Sequence, residues 1–540
     1  MRTKSITQTS WVGLCIALLL VFAGISNLAL AKAKMPELIP GYTKSQFDWL
    51  VKHSLKTFYT PGAAVAVVYQ NNVLHAQGYG VLSLETEQRV TPQTYFRIAS
   101  LSKAFTATSI ALLVRDGKLD WDTKVRDILP EFTLYSEWVS QSFTITDLLT
   151  HRSGLAAGAG DSMLWPAPSG FTQTELIHNL RYLTPKFSYQ EYGYSNVMYL
   201  VAAEIVAKIS GQPWAVFVDE HIMRAFDIDC FAGDVPEHVL NHTALPHGHN
   251  DERGIYLIPR NAVSEQAVLA GPAGGVVCSL NGMIRWMQLW LGADDDTNTT
   301  AFLSPELRAF MWEEQTTMPV YPRAKQMNDT TFKTYGLGWR KEDVNDVEMI
   351  SHTGTLSGFQ AYIALLPEQD LGVVVLNNGS NYGVRSSIVQ SVIKAFIPGQ
   401  PKIDWIAYLV QAQKEAEQRY LKRTYPLPQG SGKMTFSNAQ YAGTYRDQWF
   451  GKITLEITEN KTLRLYTEKM PMLTGTLEAF EGNTWVVRWD NQNAAKDAFL
   501  YFESNTSKTR ITRFTMHPFQ HRIKDDHAYR DMVFEKVITP

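Results

Sequence analysis

Ser100 and Lys103 are two residues whose types and spacing suggest chemistry. A helical pattern covers residues 100–116 and stops at Gly117, a favourable C-terminal cap. The serine therefore lies at the helix N-terminus, and the lysine, three residues later, shares its helix face. A serine hydroxyl is a weak nucleophile until a base takes its proton, and a desolvated lysine can lose its own proton and act as that base. The pair predicts nucleophilic catalysis by Ser100, with Lys103 as the base or its helper.

The Ser-x-x-Lys spacing has low specificity by itself, because the chain contains it twice. Ser391 and Lys394 repeat it inside a later helix pattern, where the neighbouring residues carry no polar constellation. We interpret this second pair as structural. Ser102 offers another hydroxyl, but no lysine follows it at the same spacing.

A second polar motif, Tyr194-Ser195-Asn196, lies just before a helix pattern over residues 197–209. A tyrosine beside a lysine can be shifted toward phenolate and serve as general base and acid. The Asn196 side chain offers a donor and an acceptor to a substrate amide. Taken alone, the tripeptide is more typical of an ordinary helix start, where Ser and Asn are common.

A third polar segment precedes a predicted strand and consists of His352, Thr353, Gly354 and Thr355. A histidine on a strand beside the site can bind a substrate carboxylate. The backbone N–H of Thr355, together with that of Ser100, can form an oxyanion hole. Alone, this segment too is more typical of a polar turn before a strand.

Hydrophobic patterning shows which elements must position these motifs. It predicts, in chain order, a helix at 43–58, strands at 63–69 and 73–79, mainly helices over 100–291, strands at 362–366 and 371–376, and a helix at 384–396. This order fits an α+β fold in which an antiparallel sheet is covered by its terminal helices and carries a helical subdomain.

The C-terminal part has a different period. After a helix at 404–420, Pro and Gly cluster over 426–432, which is typical of a linker. Apolar residues then alternate with polar ones in several short strands, which predicts a small antiparallel barrel or sandwich. The predicted domains are a leader at 1–31, a main domain at 40–396, a helix and linker at 397–432, and an all-β, barrel-like domain at 433–540.

Composition excludes several classes of protein. The chain has 540 residues, of which 12% are aromatic and 19% charged, so it is too apolar for a disordered protein. A formal net charge of −3 gives no basic excess, so we expect no nucleic-acid partner. Three cysteines are too few for a disulfide-built scaffold.

Taken together, the three motifs resemble the serine beta-lactamase and penicillin-binding protein superfamily. The resemblance is greatest to its class C-like branch, which includes D-alanyl-D-alanine carboxypeptidases, CubicO-type peptidases and esterases. It covers about residues 40–396, and the segments at 148–155 and 271–275 look like family loops. The tail, which begins Tyr441-Ala-Gly-Thr-Tyr445, is similar to the lipocalin-like C-terminal module of some of these hydrolases.

The resemblance implies hydrolysis of an amide or ester through an acyl-enzyme, without a cofactor or metal. Lys103 and Tyr194 would deprotonate Ser100, and the division of the base role between them stays open. Tyr194 would then pass a proton to the leaving group. His352 stands where typical beta-lactamases carry a lysine; because histidine is only partly charged near neutral pH, we expect weaker and pH-sensitive binding of a carboxylate. This difference favours a D-amino-acid-peptide hydrolase or an esterase over a beta-lactamase.

Other functions remain open at this point. The chain could be a true class C-like beta-lactamase, or a penicillin-binding or sensing protein with little turnover, since a fold does not determine an activity. The intact motifs favour an active enzyme. We expect a small-molecule or peptide substrate, with cell-wall peptide as one candidate, and a homo-oligomer is a candidate assembly.

Several histidines could suggest a metal site. His247-Gly-His249 is followed by Asn and Asp, which resembles a metallohydrolase motif. No matching downstream histidine set follows, so we interpret this segment as a polar loop. His517, His521 and His527 in the tail are interpreted as surface residues.

The N-terminus predicts the compartment. Arg2 and Lys4 precede an apolar stretch that ends in Ala-Leu-Ala at 29–31, which is the layout of a secretory signal peptide. The protein is therefore expected to be periplasmic or secreted, with an uncleaved anchor as the alternative. The mature chain would keep only Cys230 and Cys278, for which a disulfide and two separate buried thiols are both open.

Overall fold

The computed structural model describes residues 37–538, apart from 234, 260–268, 293–301, 423–426, 428, 494 and 520–528. The predicted leader at 1–31 lies outside these residues. Within the described ranges, no helix has both the length and the apolar character needed to span a bilayer.

The described residues form 23 strands. They are β1 (Glu37–Ile39), β2 (Tyr42–Thr43), β3 (Gly62–Tyr69), β4 (Asn72–Gly80), β5 (Tyr95–Arg97), β6 (Cys230–Phe231), β7 (His247–Asn250), β8 (Gly254–Leu257), β9 (Val277–Ser279), β10 (Thr316–Thr317), β11 (Lys333–Tyr335), β12 (Arg340–Val344), β13 (Val347–Leu356), β14 (Phe359–Leu366), β15 (Leu371–Asn377), β16 (Gly443–Asp447), β17 (Gly451–Ile457), β18 (Leu463–Thr467), β19 (Thr474–Glu481), β20 (Thr484–Trp489), β21 (Ala498–Ser504), β22 (Ile511–Pro518) and β23 (Val533–Lys536).

The α-helices are α1 (Lys44–Thr57), α2 (Ser102–Arg115), α3 (Val125–Ile128), α4 (Glu137–Ser142), α5 (Ile145–Leu149), α6 (Gln173–Asn179), α7 (Val197–Ser210), α8 (Trp214–Val218), α9 (Glu237–Leu240), α10 (Leu280–Leu291), α11 (Pro305–Met311), α12 (Pro322–Asn328), α13 (Gly383–Phe396), α14 (Trp405–Leu421) and α15 (Asn438–Tyr441).

Eight strands form one antiparallel sheet in the order β10-β11-β12-β13-β14-β15-β3-β4. Along β3, Ala63, Val65 and Val67 belong to the core beneath α1 and α13, whereas the alternate residues belong to the larger core on the other face, where α10 packs. A strand buried on both faces has a continuous apolar sequence rather than an alternating one. This explains the apolar run that predicted the strand.

The predicted α+β arrangement is confirmed. The helices α2–α9 form the helical subdomain between β4 and β10, and α2 packs against α7 within it. Helix α1 begins after Thr43, because the Thr43 side chain accepts from the Gln46 N–H and the Gln46 side chain accepts from the Thr43 N–H. This reciprocal capping box satisfies backbone donors at the start of the helix.

The strands β16–β23 close into an eight-stranded barrel, so the barrel-like C-terminal domain is also confirmed. Its inward residues alternate with outward ones: Ile453, Leu455, Leu463 and Leu465 are all buried. Closure removes the free sheet edges that a small open sheet would leave.

Polar contacts among the described residues join the barrel to the helical subdomain. The carbonyl of Lys469 accepts from the Gly170 N–H at 2.7 Å, and Lys469 Nζ lies 2.8 Å from a Glu175 carboxylate oxygen. The Asn179 side chain donates to the carbonyl of Trp449 at 2.8 Å. The segment that touches the barrel therefore lies close in sequence to Tyr194 and its neighbours.

Cys230 and Cys278 form a disulfide, with an S–S distance of 1.94 Å. The two residues lie opposite each other in neighbouring strands, β6 and β9. The structure thus decides in favour of pairing, which the sequence left open.

Candidate active site

Ser100 lies in a 3-10 turn, Ala99–Leu101, that leads into α2. Ala99 has a φ of +51°, in the left-handed region that residues other than glycine rarely adopt. The Ser102 hydroxyl braces this turn, because it donates to the Ala99 carbonyl at 2.7 Å and accepts from the Val276 N–H at 3.0 Å. Ser102 therefore has a structural role in the turn that presents Ser100.

The Lys103 side chain is completely buried beside Ser100. Its Nζ lies 3.2 Å from Ser100 Oγ, 2.7 Å from Asn196 Oδ1 and 2.6 Å from the carbonyl oxygen of Ala273. Burial lowers the pKa of Lys103 well below its usual value. Because the amide and carbonyl oxygens can only accept, a neutral Lys103 directs its two N–H groups to them and its lone pair to the Ser100 hydroxyl. This is the geometry of a general base.

Tyr194 lies on the loop before α7 and contacts both members of this pair. Lys103 Nζ is 4.9 Å from the centre of its ring. Burial raises the pKa of Tyr194 to about 12, although Arg340 and a hydrogen bond with Ser100 act in the opposite direction. At neutral pH the phenol therefore keeps its proton, so it suits proton donation to a leaving group better than proton abstraction.

Asn196 uses both polar ends of its side chain within the protein. Its Oδ1 accepts from Lys103, and its Nδ2 donates to Asp161 Oδ2 at 2.8 Å. The sequence predicted a contact between Asn196 and a substrate amide; the structure shows instead a bridge between Lys103 and a buried carboxylate. Asp161 had no signal in the sequence, because a lone Asp in a Gly-rich loop is common.

His352 is fully buried, and both of its ring nitrogens have protein partners. Nδ1 lies 2.9 Å from the Thr353 carbonyl, and Nε2 lies 2.9 Å from the Tyr335 hydroxyl. Since the carbonyl only accepts, Nδ1 carries the hydrogen and Nε2 accepts from the tyrosine. Burial, with the nearby charges of Arg340 and Lys103, lowers the pKa of His352 well below its usual value. The expectation of a partly charged His352 that binds a carboxylate is therefore corrected: the ring is neutral and supports the strand.

Arg340 supplies a positive charge that sequence analysis missed. It lies at the start of β12, opposite Ser351 in the sheet register. Its Nη1 donates to Thr353 Oγ1 at 2.8 Å, and its guanidinium is 6.0 Å from the centre of the Tyr194 ring. No carboxylate in the described part of the chain forms an ion pair with it. Only the strand register could have revealed this residue, since no motif contains it.

Gly354 allows β13 to approach the nucleophile. A Cβ at this position would lie 2.3 Å from the carbonyl oxygen of Ile98, so only glycine permits the observed packing. The described pairing of β12 with β13 covers only residues 347–351, which leaves one edge of the end of β13 unpaired. The predicted oxyanion hole, formed by the N–H groups of Ser100 and Thr355, fits this approach and stays a prediction.

The second Ser-x-x-Lys pair lies away from this site, on α13. Ser391 Oγ donates to the carbonyl of Ser387 at 2.8 Å, which is a contact within the helix. Lys394 Nζ donates to the side-chain oxygen of Asn345. The two side chains thus have separate structural partners, as their sequence context indicated.

The histidine motif forms a strand rather than a loop. His247 and His249 lie on β7, which pairs with β8 in a two-stranded hairpin. Across the described ranges, no cluster of three His, Cys, Asp or Glu side chains is arranged to hold a metal ion. His517 lies on β22, whereas His521 and His527 fall outside the described residues.

Two family models match separate parts of the chain. The family model described as Beta-lactamase matches residues 47–388. A second model, described as a domain of unknown function (DUF3471), matches residues 434–536, which contain the barrel.

Two curated relatives illustrate the degree of similarity. The unguisins hydrolase of Aspergillus campestris (strain IBT 28561) is 27% identical over 78% of this chain and 79% of its own length. Protein flp of Staphylococcus aureus (strain MW2) is 22% identical over 62% of this chain and 63% of its own length.

Solved structures share the fold at low sequence identity. The octameric penicillin-binding protein homologue from Pyrococcus abyssi has a TM-score of 0.59 at 18% identity, covering 91% of this chain and 99% of its own. The D-amino acid amidase from Ochrobactrum anthropi SV3 has a TM-score of 0.52 at 17% identity, covering 68% and 99%. The family model covers well over half of the sequence, from within α1 to within α13. This chain therefore belongs to the Beta-lactamase family.

Proposed function

We propose that this protein is a serine hydrolase that cleaves an amide or ester bond through an acyl-enzyme on Ser100. The observation that carries the proposal is the position of Lys103, whose buried Nζ has two acceptor-only partners besides the Ser100 hydroxyl. In its neutral form, a lysine held in this way has its lone pair directed at the nucleophile.

In the first step, Lys103 removes the proton from Ser100 as Oγ attacks the carbonyl carbon of the substrate. The C=O double bond becomes a C–O single bond, and the negative charge forms on the oxygen. Backbone N–H groups at the start of α2 and at the end of β13 are suited to stabilise that charge.

In the second step, the bond to the leaving group breaks and the carbonyl reforms as an ester of Ser100. Tyr194, which keeps its proton at neutral pH, donates it to the departing nitrogen or oxygen. The proton held by Lys103 then restores the phenol. Water attacks the ester in the reverse sequence, which releases the acid and restores the Ser100 hydroxyl.

The proposed substrate class is a small peptide or related amide that carries a carboxylate. The positive charge of Arg340 lies near the nucleophile, where its guanidinium donates to the Thr353 hydroxyl. A guanidinium can bind a carboxylate in a bidentate manner. A structural neighbour named as a D-amino acid amidase supports amide chemistry, and a relative named as an unguisins hydrolase supports hydrolysis. A peptide of the cell wall that contains D-amino acids fits both the carboxylate and the amide.

We further propose that the protein is exported, to the periplasm or outside the cell. The signal-peptide pattern and the Cys230–Cys278 disulfide support this location, since disulfides persist in oxidising compartments. A structural neighbour described as octameric makes a homo-oligomer a candidate assembly for this chain.

The proposal is tested by covalent labelling with a fluorescent fluorophosphonate and a fluorescent penicillin. Wild-type protein is expected to label and Ser100→Ala to lose the label. Ser391→Ala, in the second Ser-x-x-Lys pair, is the matched control and should label normally. Labelling of Ser100→Ala at the wild-type level would overturn the assignment of the nucleophile.

Turnover separates this function from the alternatives. A panel of D-amino-acid peptides, short esters and a chromogenic cephalosporin is expected to show hydrolysis of a carboxylate-bearing peptide. Labelling without turnover of any member would favour a penicillin-binding or sensing protein, and preferred hydrolysis of the cephalosporin would favour a beta-lactamase.

A further inference from the structure

Asn196 can hold Lys103 in place only while its side-chain amide keeps one orientation. Oδ1 accepts from Lys103 Nζ, and rotation of the amide by half a turn would replace this acceptor with an NH2 group. The orientation is set by Asp161, because Nδ2 donates to Asp161 Oδ2 at 2.8 Å and a carboxylate can only accept.

From this chain of contacts we infer that Asp161 is a positioning residue for Lys103: its carboxylate orients Asn196, and its negative charge acts on the lysine that activates Ser100. The inference rests on the proposed acyl-enzyme chemistry. It assigns Asp161 no contact with the substrate.

The backbone around Asp161 holds its side chain in place. Asp161 begins a 3-10 turn, and its carbonyl oxygen accepts from the N–H groups of Leu164 and Trp165 at 2.9 and 3.0 Å. From this turn the carboxylate reaches Asn196. Because the Asp side chain is short, the turn largely determines the position of its carboxylate.

The carboxylate is only half satisfied, which is unfavourable for folding. Asp161 Oδ1 is buried and has no hydrogen-bond partner within the described part of the chain. Buried polar atoms are normally paired, and an unpaired acceptor costs folding free energy. Stability alone does not explain a buried, partly unpaired carboxylate at this position. The arrangement therefore indicates that Asp161 serves the reaction.

The electrostatic surroundings of Lys103 give Asp161 a distinct effect. The titratable groups that face the lysine, besides Ser100, are Tyr194, Tyr199, Arg340, His151, His352 and Asp161. Burial keeps the tyrosines and histidines neutral near pH 7. Arg340 lowers the pKa of Lys103 and Asp161 raises it.

Asp161 itself is charged at neutral pH, since burial raises its pKa only to about 6. Loss of this negative charge must therefore lower the pKa of Lys103 further. The base would then lose its proton at a lower pH than in the wild type.

The experiment measures the rate of labelling by a fluorophosphonate as a function of pH. It uses the full-length wild type, Asp161→Asn, Asp161→Ala and, as a matched control, Ser162→Ala, whose hydroxyl is also buried without a partner in the described structure. Asp161→Asn keeps the size of the side chain and an acceptor for Asn196 but removes the charge. Asp161→Ala removes both, and a thermal melt of each variant checks that it folds.

We expect the acid limb of the Asp161→Asn profile to lie at least about 0.5 pH unit below that of the wild type. Asp161→Ala is expected to label at least about tenfold more slowly at its optimum, because Asn196 is then free to turn. Ser162→Ala should match the wild type in both respects.

An acid limb for Asp161→Asn that coincides with the wild-type limb overturns the inference, whatever the maximal rate. This variant is decisive if Asp161→Ala fails to fold. Wild-type labelling that does not depend on Ser100 would instead defeat the proposed function, so the two failures are distinguishable.

Discussion

The Nη1 atom of Arg340 donates a 2.8 Å hydrogen bond to Oγ1 of Thr353, and this contact joins a cation on β12 to the His-Thr-Gly motif on β13. The positive charge near the nucleophile thus comes from the neighbouring strand. The histidine of the motif is buried and neutral beneath it.

Substitution Arg340→Gln should therefore impair binding of substrates that carry a carboxylate. We expect KM to rise about 10- to 100-fold for such a peptide, with a smaller change in kcat, because a charge-assisted pair is lost. Steady-state kinetics on a carboxylate-bearing peptide and on a neutral ester measure this effect. Lys341→Gln is the matched control, since neighbouring residues of a strand point to opposite faces. An equal rise in KM for the neutral ester would contradict the prediction.

The pH dependence of acylation should follow Lys103. Since burial lowers the pKa of Lys103, the rate should rise with pH as the lysine loses its proton and reach a plateau well below the range in which a free lysine titrates. It should fall only near pH 12, where Tyr194 ionises. Lys103→Met should reduce acylation about 10²- to 10⁴-fold, and Lys394→Met should not. A wild-type profile that rises only above pH 10 would contradict the assignment of the base.

Gly354→Ala should disrupt the site by displacing β13. The new Cβ would lie 2.3 Å from the Ile98 carbonyl, so the strand must move away from the turn that carries Ser100. We expect a loss of acylation of about 100-fold, because small displacements of catalytic groups are costly. Gly274→Ala is the control, since its Cβ would be 3.7 Å from the nearest atom of Ala99. Wild-type labelling by Gly354→Ala would show that the close approach is unnecessary.

The stability of the fold should decrease in acid through buried histidines, and His75 provides a test. Burial lowers the pKa of His75 to about 4, so between that pH and about 6.5 the unfolded chain binds a proton that the native state does not. Native stability therefore falls as the pH drops through this range, by about 3 kcal/mol for this residue. Urea titrations at several pH values should show a shallower dependence in His75→Gln. An unchanged slope would mean that His75 titrates alike in both states.

Docking of the barrel should depend more on Asn179 than on Lys469. Asn179→Ala leaves the buried carbonyl of Trp449 unpaired, at a cost of about 1–3 kcal/mol. Lys469→Ala removes a partly exposed ion pair with Glu175, worth about 0–1 kcal/mol. Hydrogen exchange of the barrel loop around Trp449 should be faster in Asn179→Ala than in Lys469→Ala. The reverse order would contradict the role of the buried contact.

Local patterns were sufficient for much of the architecture. Helix α1 begins where its capping residues predict, and the continuous apolar run at 63–69 is a strand buried on both faces. The alternating apolar and polar residues of the C-terminal part form the strands of a closed barrel. The spacing of apolar residues shows which face of a helix or strand is buried. It therefore predicts these elements even when the elements that pack against them are unknown.

The candidate site was predictable only in part. The sequence proposed Ser100, Lys103 and Tyr194 as catalytic candidates, and the structure brings the three side chains together. The roles of Asn196 and His352 were decided by the tertiary structure, which gives each of them protein partners on both sides. These partners come from distant segments of the chain.

Arg340 and Asp161 show why such residues escape sequence analysis. Each is a single charged residue without a motif, and its importance comes from strand register or from burial beside Lys103. Residue type and spacing determine what chemistry the chain can attempt. Which groups are charged, and which atoms face each other, depends on desolvation and on contacts between residues far apart in sequence, and only the folded structure determines those.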